Sequence, residues 1–312
     1  MSQLIHKVRF EVLLNDAFST INTDAELNPI GNKNVLSVIN DFEDRSWRYG
    51  KFQNFIWDNI KETALSAQER ENLIDQERSR LISAAQKLRL TDSEDDAGQG
   101  SEIAEIVLYG IMKHHYNALP VVPKIFYKQN SQDFAKGSDS VHIVIEKNDF
   151  TIWFGEAKFY NSIEDARLTS IVKSVENSLQ KEKLEKENSI ITGLTDLNLL
   201  IEDDDLRNRI KTAITPGVSM DTLKPKLHIP ILLLHECTIT QGVDSLSDEY
   251  RNSVIDFHKD RAQAYFKKQV DKFGASLFKY DEITFHIILF PVPSKETIVN
   301  EFISEVRHYQ RP

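Results

Sequence analysis

Residues 137–160 read GSDSVHIVIEKNDFTIWFGEAKFY, and the pattern inside this stretch decides the fold. Val141, Ile143 and Ile145 alternate along one segment, and Phe150, Ile152 and Phe154 along the next. A period of two puts each set on one face of a β-strand. Lys147 and Asn148 suit a two-residue hairpin loop that sets Glu146 opposite Asp149. In that register Ile145 faces Phe150, Ile143 faces Ile152 and Val141 faces Phe154, so the apolar face is unbroken. Continued outward, the register sets Asp139 opposite Glu156, with Lys158 two residues further along the same face. Opposed side chains in an antiparallel pair have Cβ atoms about 4.5–5.5 Å apart. Two carboxylates that close repel each other unless a cation lies between them.

A divalent metal, Mg2+ or Mn2+, is the expected cation. Magnesium prefers hard oxygen ligands and often takes only one or two protein carboxylates. Asp139 and Glu156 supply these, and the carbonyl of Ala157 offers a third protein oxygen. Bound metal activates water and stabilises charge on a scissile phosphate. Lys158 is positioned to orient that water or to neutralise the developing charge. Glu102 and Glu105, one turn apart on a preceding helix, are candidates for a second metal or a metal-bound water. Glu105 is favoured because it lies nearer the apolar stripe. Glu156-Ala157-Lys158 is the only acid-x-Lys triplet in the chain. Competing structural readings exist for each residue. Asp139 could be a turn acid, and Glu156 with Lys158 an edge-strand ion pair contributing about 0–1 kcal/mol. Acids in the first turn of a helix are expected from the helix dipole alone.

Around the hairpin the elements alternate between types. Residues 1–20 read as mixed strand and loop, and 67–90 carry apolar residues at helical spacing. Residues 91–100, TDSEDDAGQG, read as a linker. They divide a mostly helical segment 1–95, a possible partner-docking region, from a domain spanning 96–312. Residues 101–116 form a helix with Ser101 at its N-cap, and 124–128 a short strand. One long helix is expected over 163–187, a buried strand over 226–236, a helix over 247–273, a strand over 283–290 and a final helix over 295–308. The order helix, three strands, helix, strand is an α/β arrangement.

These residues resemble the PD-(D/E)xK nuclease superfamily, whose core is a helix, a three-stranded meander, a helix and a further strand. The segments E102-I-A-E-I-V-L-Y, K136-G-S-D-S-V-H-I and W153-F-G-E-A-K-F-Y are similar to one group within it. That group is HamA, the nuclease subunit of the bacterial Hachiman antiphage defence system. The resemblance is carried by residues 100–160. It implies metal-dependent DNA cleavage, a superfamily 2 helicase partner (HamB), and a nuclease held inactive until invading or damaged DNA is sensed. Asp139 departs from the superfamily pattern in following Ser138 rather than Pro.

Composition sets further bounds. The net charge is −10 over 312 residues, and no third of the chain is basic. Simple electrostatic DNA binding favours basic domains, so DNA must meet local basic patches, metal ions or a partner that delivers it. His258, Lys259, Arg261, Lys267, Lys268 and Lys272, interleaved with Tyr265 and Phe266, are the best such patch, a solvated or partner-binding face being the competing reading. Arg167, Lys173, Lys181, Lys183 and Lys186 are read mainly as a solvated face. No apolar run approaches the roughly 18 residues of a bilayer span. The single cysteine, Cys237, forms no intrachain disulfide, and a reducing cytoplasm is expected. His114-His115 is no metal pair, since adjacent helix positions diverge, and His142 lies on the strand face away from Asp139. No glycine-rich phosphate loop occurs, so ATP hydrolysis is not expected of this chain. A non-catalytic adaptor with a nuclease-like fold, and a hydrolase of RNA or small nucleotides, are the competing functions.

Overall fold

The computed structural model describes residues 9–90, 100–125, 137–193, 196–215 and 217–311. Its centre is a mixed seven-stranded sheet of order β1-β2-β9-β8-β7-β6-β5. The strands are β1 (Glu11–Ala17), β2 (Lys33–Ile39), β5 (Leu119–Val122), β6 (Ser140–Glu146), β7 (Asp149–Tyr160), β8 (Leu227–Glu236) and β9 (Thr284–Val292). A two-stranded ribbon, β3 (Phe42–Glu43) with β4 (Ser46–Trp47), stands apart. Strands β2, β9, β8 and β7 run parallel to their neighbours in this group. The outer pairs β1/β2, β6/β7 and β5/β6 are antiparallel.

The hairpin β6–β7 has the register read from its alternation. Glu146 pairs with Asp149, Ile145 with Phe150, Ile143 with Ile152 and Val141 with Phe154. Lys147 and Asn148 both take positive φ, 47° and 65°. Two positive-φ residues are what a type I′ turn needs, and its twist matches that of the flanking strands.

Helices cover both faces. One face buries Val141, Ile143, Phe150, Ile152 and Phe154 against Leu168, Ile171, Val172 and Val175 of α5 (Asp165–Ser178), with Tyr265 and Phe266 of α7 (Asp248–Gln269) further along. The other buries Trp153, Ala157 and Phe159 beneath α4 (Ser101–His115), with α1 (Tyr49–Ala64), α3 (Glu77–Gln86) and α8 (Lys295–Gln310) completing the layer. Strand β8 is covered on both sides, which is why Ile231, Leu232, Leu233 and Leu234 form an uninterrupted apolar run. Between α1 and the sheet, α4 is enclosed, and every residue from Ile103 to Met112 is buried.

Several expectations need correction. The third meander strand lies at Leu119–Val122, not 124–128; Lys124 and Ile125 are helical, and 126–128 fall outside the described residues. Pro120 and Pro123 disguised it, yet proline is tolerated on an edge strand, which β5 is. The single helix over 163–187 is two, α5 and α6 (Lys181–Gly193), broken at Leu179 and Gln180. The 67–90 helix is likewise split into α2 (Ala67–Asn72) and α3, with Asp75 at φ 63° between them. Gly100, not Ser101, caps α4. The 1–95 segment is not a separate helical region: β1 and β2 join the central sheet, with Lys33 paired to Phe285 of β9. The linker read over 91–99 lies outside the described residues.

Gly155 sits where α4 presses on the hairpin. A Cβ there would lie 2.2 Å from Ser140 Oγ and 2.8 Å from Leu108 Cδ2. Gly155→Ala should therefore destabilise the protein by about 1–3 kcal/mol, read as a lowered urea midpoint at unchanged m-value.

Four buried histidines and the half-buried His228 add a pH signature. Burial lowers His142 to about 3, and His228 and His235 each to about 4, with His258 and His286 well below their ordinary value. His228 Nδ1 meets His286 Nε2 at 2.8 Å, and His235 Nε2 meets His258 Nε2 at 3.3 Å. Each pair requires neutral rings, one donating and one accepting. Unfolded histidines take up protons near pH 6.5, whereas the folded ones do so only near pH 4 or below. Between these limits the unfolded state binds more protons, so stability falls as pH falls. Urea midpoints should drop steeply from pH 6.5 to 4, and His142→Leu should flatten the slope; a flat wild-type profile would contradict this.

Candidate metal centre at the end of the hairpin

The regular ladder ends at Ser140 paired with Gly155, one step short of Asp139. The Asp139 amide still donates to the Gly155 carbonyl at 2.8 Å, so the residue is held where β6 begins. Its Oδ2 accepts from the Ala157 amide at 3.0 Å and from Lys158 Nζ at 3.4 Å. The same ammonium lies 2.5 Å from Glu156 Oε1. Asp139, Glu156 and Lys158 thus converge, with Lys158 spanning the two carboxylates.

Glu156 and Lys158 continue the face of Ile152 and Phe154, under α5. From that helix Ser174 Oγ donates to Glu156 Oε1 at 2.5 Å. Side-chain exposure is 6% for Glu156, 16% for Asp139 and 25% for Lys158, so the site is buried at its base and open at the ammonium. Burial, then the charge of Asp139, push the Glu156 carboxyl upward; Lys158 and Ser174 oppose the shift. Burial works against the charge on Lys158, but the two carboxylates and the hydrogen bond to Glu156 outweigh it and raise its pKa.

The helix glutamates arrive from elsewhere. Helix α4 packs on the Trp153 and Ala157 face, the reverse of the one bearing Glu156. Glu102 is turned towards α3, its carboxylate accepting from the Arg89 and Leu90 amides at 3.0 and 3.2 Å. Glu105 is buried and lies close enough to Tyr109 to act on its hydroxyl. Among the described residues, no three or more His, Cys, Asp or Glu side chains group as a ligand set. The oxygen donors the structure brings together are therefore two carboxylates, those of Asp139 and Glu156. That set fits magnesium or manganese, which accept one or two carboxylates and fill the remaining positions with water and phosphate.

Much of the basic patch on α7 is buried or paired within the protein. Tyr265, Phe266 and His258 are core residues. Arg261 and Lys268 pair with Asp165, Lys267 with Glu26 and Lys272 with Glu176. Helical spacing carried these side chains inward or onto neighbouring acids, a distribution invisible to a count of cations. His114 and His115 diverge to Asn59 and Asn15, at 3.2 and 3.3 Å. His142 packs against Tyr109 with centroids 4.6 Å apart and the rings tilted, and Cys237 is a buried free thiol. Arg167 lies over the Tyr160 ring, 5.1 Å from its centroid. Ser174 was missed in the sequence, where a serine on an amphipathic helix carries no distinguishing mark.

A model of the HamA family matches residues 14–306 of the chain, a span containing every residue of the site. The chain belongs to the HamA family. Membership gives it a role in antiphage defence, within the Hachiman system. No curated protein matches it. Among the described residues, no helix is long and apolar enough to cross a membrane.

Removing the ammonium exposes the electrostatics of the site. Lys158→Met leaves a buried carboxylate beside a second one, and should cost about 3 kcal/mol at pH 7.5. Glu156 then binds its proton more tightly folded than unfolded, so the penalty should shrink as pH falls towards 5.5. Urea titrations against wild type at both pH values read this; an equal penalty at each would contradict it.

Proposed function

We propose that this HamA-family chain is a metal-dependent DNA endonuclease subunit with a PD-(D/E)xK core, working under the control of a partner helicase. The observation that carries the reading is the bridging of two carboxylates by one ammonium at the end of an otherwise apolar hairpin. The run of α4, β5–β6–β7, α5 and α6, then β8 after three further helices (Asp196–Leu200, Asp204–Ala213 and Met220–Leu223), supports it through its element order.

Asp139 and Glu156, with the Ala157 carbonyl, would hold Mg2+ or Mn2+. Such a metal supplies an activated water and stabilises charge on a phosphoryl group. Asp139 is oriented by the Ala157 amide and Glu156 by Ser174, so neither carboxylate must be ordered at the moment of reaction. Lys158, the most exposed of the three, is free at its outer side to meet the attacking water or the phosphate. Glu105 and Glu102, carried by α4 on the reverse face of the sheet, are left out of the proposed donor set. The net charge of −10 and the intramolecular pairing on α7 fit a subunit to which DNA is delivered by its helicase.

One observation favours the adaptor reading: Lys158 already neutralises both acids, as a purely structural ion triad would. Calorimetric titration with Mn2+ separates the two, since an adaptor gives no binding heat. With the helicase present and magnesium supplied, Glu156→Ala/Lys158→Ala should lose cleavage by about 1,000-fold or more while keeping its fold by circular dichroism. Duplex DNA, single-stranded DNA and RNA should be compared as substrates. Plasmid degradation by the purified double variant at the wild-type rate would overturn the assignment.

A further inference from the structure

Next to the candidate centre lies an ion pair that the proposed chemistry does not use. Lys124, just past β5, meets Glu187 of α6 through both carboxylate oxygens, at 2.6 and 2.7 Å. Their side chains are 1% and 2% exposed. Replacing such a pair with apolar residues is often neutral for stability, so its presence calls for another account. The neighbours supply one. Glu187 Oε1 also accepts from the Ser138 amide at 2.9 Å, one residue before Asp139. Gly137 packs so tightly here that a Cβ would stand 1.9 Å from the same oxygen. The segment leading into Asp139 is therefore held from two sides: Glu187 takes the Ser138 amide, and the Gly155 carbonyl takes the Asp139 amide. Lys124 fixes Glu187 in turn, and its own amide donates to the Tyr109 hydroxyl at 3.3 Å, tying the arrangement to α4.

We infer that Lys124 and Glu187 form a buried clamp that positions Asp139 for the metal centre. They are positioning residues, acting through the Ser138 amide. The metal part of this inference rests on the nuclease reading; the clamp part does not. Three segments far apart in sequence, at 124, 137–139 and 187, meet only in the folded chain, so the carboxylate of Asp139 takes its place only once β5 and α6 have docked.

Two measurements on the full chain test it. The first is amide hydrogen exchange without metal, comparing wild type with Lys124→Met/Glu187→Leu. The clamp predicts at least tenfold faster exchange in peptides covering Ser138 to Ser140, with Thr151 to Phe154 in the regular ladder unchanged; equal exchange at Ser138 to Ser140 would overturn it. The second is Mn2+ affinity by calorimetry. Outer residues that orient metal ligands typically change affinity 10–100-fold. The double variant should lose that much, and adding it to Asp139→Ala should cause no further loss, because the clamp works through that carboxylate. A further loss on the Asp139→Ala background would mean a general structural effect and overturn the inference. If Asp139→Ala binds Mn2+ like wild type, the nuclease reading fails while the exchange result still judges the clamp. Should the double variant fail to unfold cooperatively, Lys124→Met, which removes the ammonium that fixes Glu187, replaces it in both measurements with faster exchange at Ser138 to Ser140 again expected.

Discussion

A slip of one residue between β6 and β7 would send every side chain of the hairpin to the opposite face. Glu156 and Lys158 would then enter the layer under α4, and Trp153 and Phe159 would face α5. Two devices prevent this. The turn at Lys147-Asn148 admits only a narrow set of backbone conformations, and each strand has apolar residues committed to a buried face. The position of the charged trio is thus decided several residues away, by a turn and by greasy side chains with no chemical role.

The sheet also explains how so much polarity is tolerated inside the molecule. Glu156, Glu187, Lys124 and five histidines are buried or nearly so. Each ionised group has an opposite charge or several donors around it, and the histidines pair as neutral rings or pack against aromatic neighbours. Desolvation is met by local partners rather than by water, except at His142, whose two ring nitrogens are buried without a hydrogen-bond partner. The outcome is a set of groups with shifted proton affinities concentrated around β7 and its neighbours, the region from which the function is argued.

How much of this could be read in the amino-acid order depends on the range of the interactions. The hairpin was legible because alternation and turn chemistry are local, and seven pairs have the inferred register. The strands β8 and β9 were legible because burial on both faces leaves unbroken apolar runs. Strand β2 was not recognised, since its pairing with β9 joins opposite ends of the chain. Strand β5 was hidden by its prolines. Within the site, Asp139, Glu156 and Lys158 are neighbours on one hairpin, whereas Ser174 and Glu187 reach it from helices whose docking no spacing rule specifies. The ion pairs of the α7 cations were not legible because composition does not say which acid lies across a helix interface.

Because β2 lies beside β9, the first strands made must wait for the last. Lys33 meets Phe285 only after β9 has left the ribosome, and pairings over such separations form slowly. Until then β8 lacks its outer neighbour, and the layer that steadies β7 is incomplete. Synthesis order thereby delays the hairpin's full support until β9 has been made, a built-in interval in which the surroundings of Asp139, Glu156 and Lys158 are incomplete.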